Sequence, residues 1–161
     1  MVKAAARLRE ESPRPDATHR DLGFRAFQLR SSNFAVWDST ATADQLEQQL
    51  ELSVEHVTDN ATEISMLTEL LLKAGYTLAA PIKTLDFAGV PGYSVADTAL
   101  IVCLSKTLSI EAFEAMIELE PAMIVVLDAG FGDSDELKVN ALQAVRARNQ
   151  QSGSDIALRV V

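Results

Sequence analysis

Residues 99–104 read Ala99-Leu100-Ile101-Val102-Cys103-Leu104, six apolar side chains with no polar one among them. A strand with one wet face alternates, so this run predicts a central strand covered on both faces. Ala122–Leu127 is a second continuous apolar strand, and Ile156–Val160 is the last. Between the first two, Ser109 caps a helix that turns Ile110, Phe113, Met116 and Ile117 inward and stops before Pro121. Between the second and third, Asp128-Ala129-Gly130-Phe131-Gly132 turns into a helix boxed by Asp133 and Glu136. Its inward positions are Leu137, Ala141, Leu142 and Val145, and it ends in Gln150–Asp155. Residues 98–161 thus read β-α-β-α-β, for which parallel strands with right-handed helical crossovers are expected.

Working toward the N-terminus, a hairpin comes first. Leu85 and Phe87 alternate with Thr84 and Asp86, Gly89-Val90-Pro91-Gly92 is the expected turn, and Tyr93 and Val95 alternate with Ser94 and Ala96. Two amphipathic helices precede it. The first spans Ala43–Val57, with Thr42 and Gln45 as capping box and Leu46, Leu50, Val54 and Val57 on one stripe. The second spans Ala61–Ala74, boxed by Asn60 and Glu63 and stopped by Gly75, with Ile64, Leu67, Leu70, Leu71 and Ala74 inward. Phe24–Leu29 reads as a strand, Arg30-Ser31-Ser32-Asn33 as a turn, and Phe34–Trp37 as a short extended piece. Ser12–Asp16 carries two prolines and breaks any helix begun before it. The expected fold class is α/β: a mixed sheet with a parallel C-terminal half flanked by helices, plus an antiparallel hairpin. Residues 1–20 are expected to be a flexible segment and residues 21–161 a single α/β domain.

Charge and composition narrow the function. The chain has 161 residues, long enough to build a core without disulfides or metal. Residues 1–30 carry a net +3 and residues 31–161 a net −12, within a formal total of −9. So acidic a body repels a phosphate backbone, because nucleic-acid affinity comes mainly from lysine and arginine neutralising phosphates. Cys103 is the single cysteine, which excludes an internal disulfide and a cysteine-rich zinc site. No apolar run approaches membrane-spanning length, and the N-terminus lacks the apolar stretch of a secretory signal. The composition predicts a soluble cytoplasmic protein with no membrane partner.

Few residues suggest chemistry. Gly130 and Gly132 follow a strand and precede a helix, but Asp135 stands where the third glycine of a dinucleotide fingerprint belongs. Asp128, Asp133, Asp135 and Glu136 crowd that turn and oppose a bound pyrophosphate. They also lack the offsets of a calcium loop, and helix capping accounts for Asp133 and Glu136. Cys103 lies in the most apolar strand, where a thiol is inert. His19 and His56 share no ligand-like spacing. The aromatic residues Phe24, Phe27, Phe34 and Trp37 read first as core, and next as a protein interface anchored by Phe24, Phe27 and Trp37.

Three blocks carry a resemblance. Asp21–Asp38, DLGFRAFQLRSSNFAVWD, resembles the segment that follows the catalytic core in modification subunits of type III restriction–modification systems. Leu67–Leu104 is similar to that family's central stretch, with Lys73 and Gly75 ending a helix and Tyr93 to Val95 in a hairpin. Ala122–Val145 is similar to its closing block, with the Asp-x-Gly-Phe turn at Asp128–Phe131 and a helix carrying Lys138 and Asn140. The resemblance spans residues 21–161. It implies an adenine-specific DNA methyltransferase that uses S-adenosylmethionine. It also implies a subunit that dimerises and associates with a helicase–nuclease subunit. The family's Asp-Pro-Pro-Tyr and Phe-x-Gly-x-Gly motifs are absent from this sequence. The chain is therefore expected to be a C-terminal domain without catalytic, cofactor or metal residues, serving assembly and reaching DNA only through the full-length subunit. The alternative is a free-standing domain that binds a small ligand or nucleotide beyond the carboxyl ends of its strands, near Ser105, Lys106 and Asp128–Gly132.

Overall fold

The computed structural model describes residues 26–34, 57–132 and 134–161. The chain divides into two units, Met1–Ser31 and Ser32–Val161. In the second, helix α1 (Glu63–Lys73) is followed by strands β1 (Ile82–Phe87), β2 (Val90–Val95) and β3 (Leu100–Cys103). Helix α2 (Ile110–Glu118), strand β4 (Met123–Val126), a 3-10 turn (Asp128–Phe131), helix α3 (Asp135–Ser152) and strand β5 (Ala157–Val160) complete it. The strands form one sheet in the order β1-β2-β3-β4-β5, antiparallel from β1 to β3 and parallel from β3 to β5. This is the mixed α/β sheet expected from the sequence.

Each face of the sheet carries its own core. Ile101, Cys103, Ile124 and Val126 face α2 and α3, where Phe113, Met116, Ala141 and Val145 cover them. Leu100, Val102 and Val125 face the other way, onto Leu67, Leu70 and Leu71 of α1 and onto Phe34. All four residues of β3 are buried, which is why its sequence shows no alternation. Burying one such side chain contributes about 1.5–3 kcal/mol. Both crossover helices sit on one face, as right-handed crossovers require when the sheet grows in one direction. Among the described residues no helix is long and apolar enough to cross a membrane.

Several local expectations need correction. The cap of α1 is Thr62, whose side chain accepts from the Ser65 amide while the Ser65 hydroxyl accepts from the Thr62 amide. Asn60 lies two residues too early for that role. The C-terminal stop at Gly75 is as expected: with φ at 82°, its amide donates to the Leu72 oxygen and the Tyr76 amide to Leu71. Ile64 is exposed rather than inward, because it lies about 90° around α1 from the centre of the stripe Met66, Leu67, Leu70 and Leu71. Leu142 of α3 is likewise exposed, about 100° around the helix from buried Ala141. The N-cap of α3 is Ser134, whose side chain accepts from the Leu137 amide; the expected role of Asp133 lies outside the described residues.

The hairpin turn falls earlier than expected. Phe87 pairs with Val90, so Ala88 and Gly89 are the loop, with φ of 50° and 89° as a type I′ turn demands. Pro91 is inside β2, one position beyond the closing pair, where its missing amide is not needed by β1. Gly92 is also in the strand: a Cβ there would sit 2.8 Å from the Phe87 ring. Of the expected strand Phe24–Leu29, residues 26–29 are described, and they form no strand and are exposed. The expected helix Ala43–Val57 lies outside the described residues except for Val57, which bridges to Phe34.

Candidate functional site

The segment Ser32-Asn33-Phe34 is tied to α1 by one carboxylate. Glu69 accepts from the Ser32 hydroxyl at 2.5 Å, the Asn33 amide at 2.7 Å and the Asn33 side-chain nitrogen at 2.8 Å. Lys73, one helical turn on, places its Nζ 2.8 Å from the same carboxylate. The Ser65 hydroxyl donates to Asn33 Oδ1 at 2.6 Å, and the Thr58 amide donates to the Asn33 oxygen at 2.9 Å. Burial pushes the Glu69 carboxyl up, but Lys73, Ser32 and Asn33 together bring it down to about 2. Lys73 also lies 4.9 Å above the centre of the Phe34 ring, which is buried against α1. Serine and asparagine at 32 and 33 were legible as turn formers. Their partner is 36 residues away, and no local spacing announces it.

Beside this tie runs an open-sided groove of about 380 Å³, lined by Phe34, Leu70, Lys73, Asp128, Arg159 and Val161. It lies where α1 stops covering the sheet, over β5. Arg159 is exposed there and makes no ion pair among the described residues. Asp128 is engaged: Lys138 of α3 bonds its carboxylate at 2.9 Å, and that bond holds the Lys138 ammonium above its ordinary value. The Asp128 amide donates to the Val161 oxygen at 2.7 Å.

In the alternative expectation a nucleotide lies near Ser105, Lys106 and Asp128–Gly132; Asp128 lines the groove, while the loops at Ser105–Leu108 and Gly130 are joined by main chain. The Leu108 amide donates to the Gly130 oxygen at 2.8 Å, and a Cβ on Gly130 would stand 2.8 Å from the Ser105 oxygen. Gly130 is thus a packing glycine between two loops and does not fit a cofactor cradle. The strand order never reverses, so the sheet has no switch point at which adjacent loops diverge to form a crevice. Cys103 is buried in β3, and burial pushes its thiol up. Among the described residues no group of histidine, cysteine, aspartate and glutamate is arranged to hold a metal ion.

Of the three expected interface anchors, Phe27 is 53% exposed, while Phe24 and Trp37 are outside the described residues. The expectation for Phe24 and Trp37 thus lies outside the described residues. No protein-family model matches the chain, and no curated protein is significantly similar to it.

Proposed function

We propose that the chain is a C-terminal assembly domain of an adenine-specific DNA methyltransferase from a type III restriction–modification system. In this reading the S-adenosylmethionine site and the base-flipping chemistry belong to the catalytic part of the subunit. This domain contributes contacts, either between two modification subunits or with the helicase–nuclease subunit, and Phe27 is one exposed apolar residue available for them. DNA is reached only through the whole subunit.

Three blocks of resemblance in the same order support the family, and one structural observation supports assembly over ligand binding. The loops after β3 and β4 bond to each other through Leu108 and Gly130, so Gly130 serves loop packing rather than standing free to cradle a ligand. The test has two arms. Titration of S-adenosylmethionine into the isolated chain by calorimetry is expected to release no binding heat; measurable affinity overturns the reading. Co-expression with the modification and helicase–nuclease subunits encoded beside it is expected to give co-elution on size exclusion. A gene neighbourhood without an Asp-Pro-Pro-Tyr frame or a helicase gene, or separate elution, overturns it as well.

A further inference from the structure

Parallel pairing engages alternate residues of a strand. The amides of Ala157 and Val161 donate to the oxygens of Ala122 and Val126, each at 3.0 Å, so the odd-numbered residues of β5 face β4. The peptide groups of Leu158 and Val160 consequently point away from the sheet, along its last edge. Ile156 would extend that open edge, but Asn149 of α3 closes it. The Asn149 Nδ2 donates to the Ile156 oxygen at 3.1 Å, and its Oδ1 accepts the Ile156 amide at 2.9 Å. Among the described residues, Leu158 and Val160 keep unpaired main chain on this edge, with exposed Arg159 between them on the groove face.

A second copy of the chain is a poor occupant. The one antiparallel self-pairing that engages both Leu158 and Val160 without Ile156 is centred on Arg159. It would set two guanidinium groups on directly opposed residues, about 4.5–5.5 Å apart at Cβ, an arrangement that destabilises a sheet. A carboxylate at the opposed position reverses the sign. The next residue on the same face of such a strand would oppose Val161, which lines the groove with Phe34 and Leu70.

We infer that β5 is a docking edge for an extended segment of a partner protein, carrying a carboxylate opposite Arg159 and an apolar side chain two positions along, over the groove. The inference rests on the assembly reading and names the surface used. Main-chain bonds to Leu158 and Val160 supply affinity, and Arg159 with the groove supplies selection.

The probe is the peptide Thr-Thr-Val-Thr-Glu-Thr-Val-Thr-Thr, whose side chains read in the same order in both strand directions. It is compared with the same peptide carrying lysine in place of glutamate, and with one N-methylated on the glutamate and on both flanking threonines, which removes the edge-facing amides in either strand direction. Amide NMR of the isotope-labelled chain is expected to show Leu158 and Val160 shifting and their hydrogen exchange slowing. The glutamate peptide is expected to bind at least about tenfold tighter than the lysine peptide. Arg159→Glu is expected to invert that order, and N-methylation to abolish binding. Equal affinity for the two charges, shifts centred away from β5, or no binding at about 1 mM peptide overturns the inference. Co-elution with the subunits alongside a failed peptide titration removes this surface and leaves the assembly reading standing. Peptide binding without co-elution does the reverse.

Discussion

The β3–β4 pair and the tie at Ser32–Phe34 are held by opposite means. Leu100, Ile101, Val102 and Ile124 are fully buried, and they contribute through apolar area and tight packing that many neighbours share. The tie centres on one carboxylate, with Ser32, Asn33 and Lys73 converging on Glu69, and is completed by the Ser65 and Thr58 bonds to Asn33 and the buried Phe34 ring. The first is robust to pH and resists local opening. The second is partly conditional: three of its hydrogen bonds depend on the charge of one group, and it is expected to open without taking the sheet apart. A domain can thus carry a rigid platform and a releasable strap on the same helix, because α1 offers Leu67 and Leu71 to the sheet and Glu69 to the strap.

The contrast is most severely tested in the core. Phe113→Ala, at a side chain with no exposure, is expected to cost about 3–5 kcal/mol of global stability in urea unfolding. A loss under about 1 kcal/mol would show that the α2 face is not the platform described. Glu69→Ala is expected to cost about 2 kcal/mol, since three donors and a lysine lose their acceptor. Hydrogen exchange should locate that loss at Asn33 and Thr58, with the amides of β3 and β4 unchanged. Exchange rising equally across the sheet would merge the two regions into one cooperative unit.

The acid response separates the regions again. Glu69 is held at about 2 in the folded chain against an unfolded value of 4.5, so the unfolded chain binds the extra proton between those values. The stabilisation is therefore complete above about pH 5 and disappears as pH falls toward 2. The carboxylate is only 17% exposed yet close to water, and screening holds its share to about 1–2 kcal/mol. Glu69→Gln should flatten that part of the stability profile, and an unchanged acid limb would assign it to other carboxylates. The smallest effect belongs to the hairpin. Ala88 occupies a left-handed position that asparagine tolerates better, so Ala88→Asn is expected to raise stability by about 0.5–1 kcal/mol in thermal unfolding.

The platform was legible in the sequence and the strap was not. Continuous apolar runs at 100–103 and 123–126 announce buried parallel strands, and Ser109 announces its helix. These signals are local and periodic. The hairpin turn was misplaced because Pro91 and Gly92 look like turn residues, yet Gly92 is required by the Phe87 ring and Pro91 by nothing more than an available register. The Glu69 tie depends on a pairing across 36 residues, which neither charge pattern nor spacing encodes. The groove and the open edge of β5 were invisible for a similar reason: which strand ends a sheet is decided by the whole topology.

That topology also bears on how the domain comes into being. Because order in space follows order along the chain, every strand after the first finds its neighbour already made. Synthesis from the N-terminus can lay the sheet down plank by plank, with no gap to be filled later by a strand threaded between two others. Among the described residues β5 is the final plank, and its outer side carries no further strand.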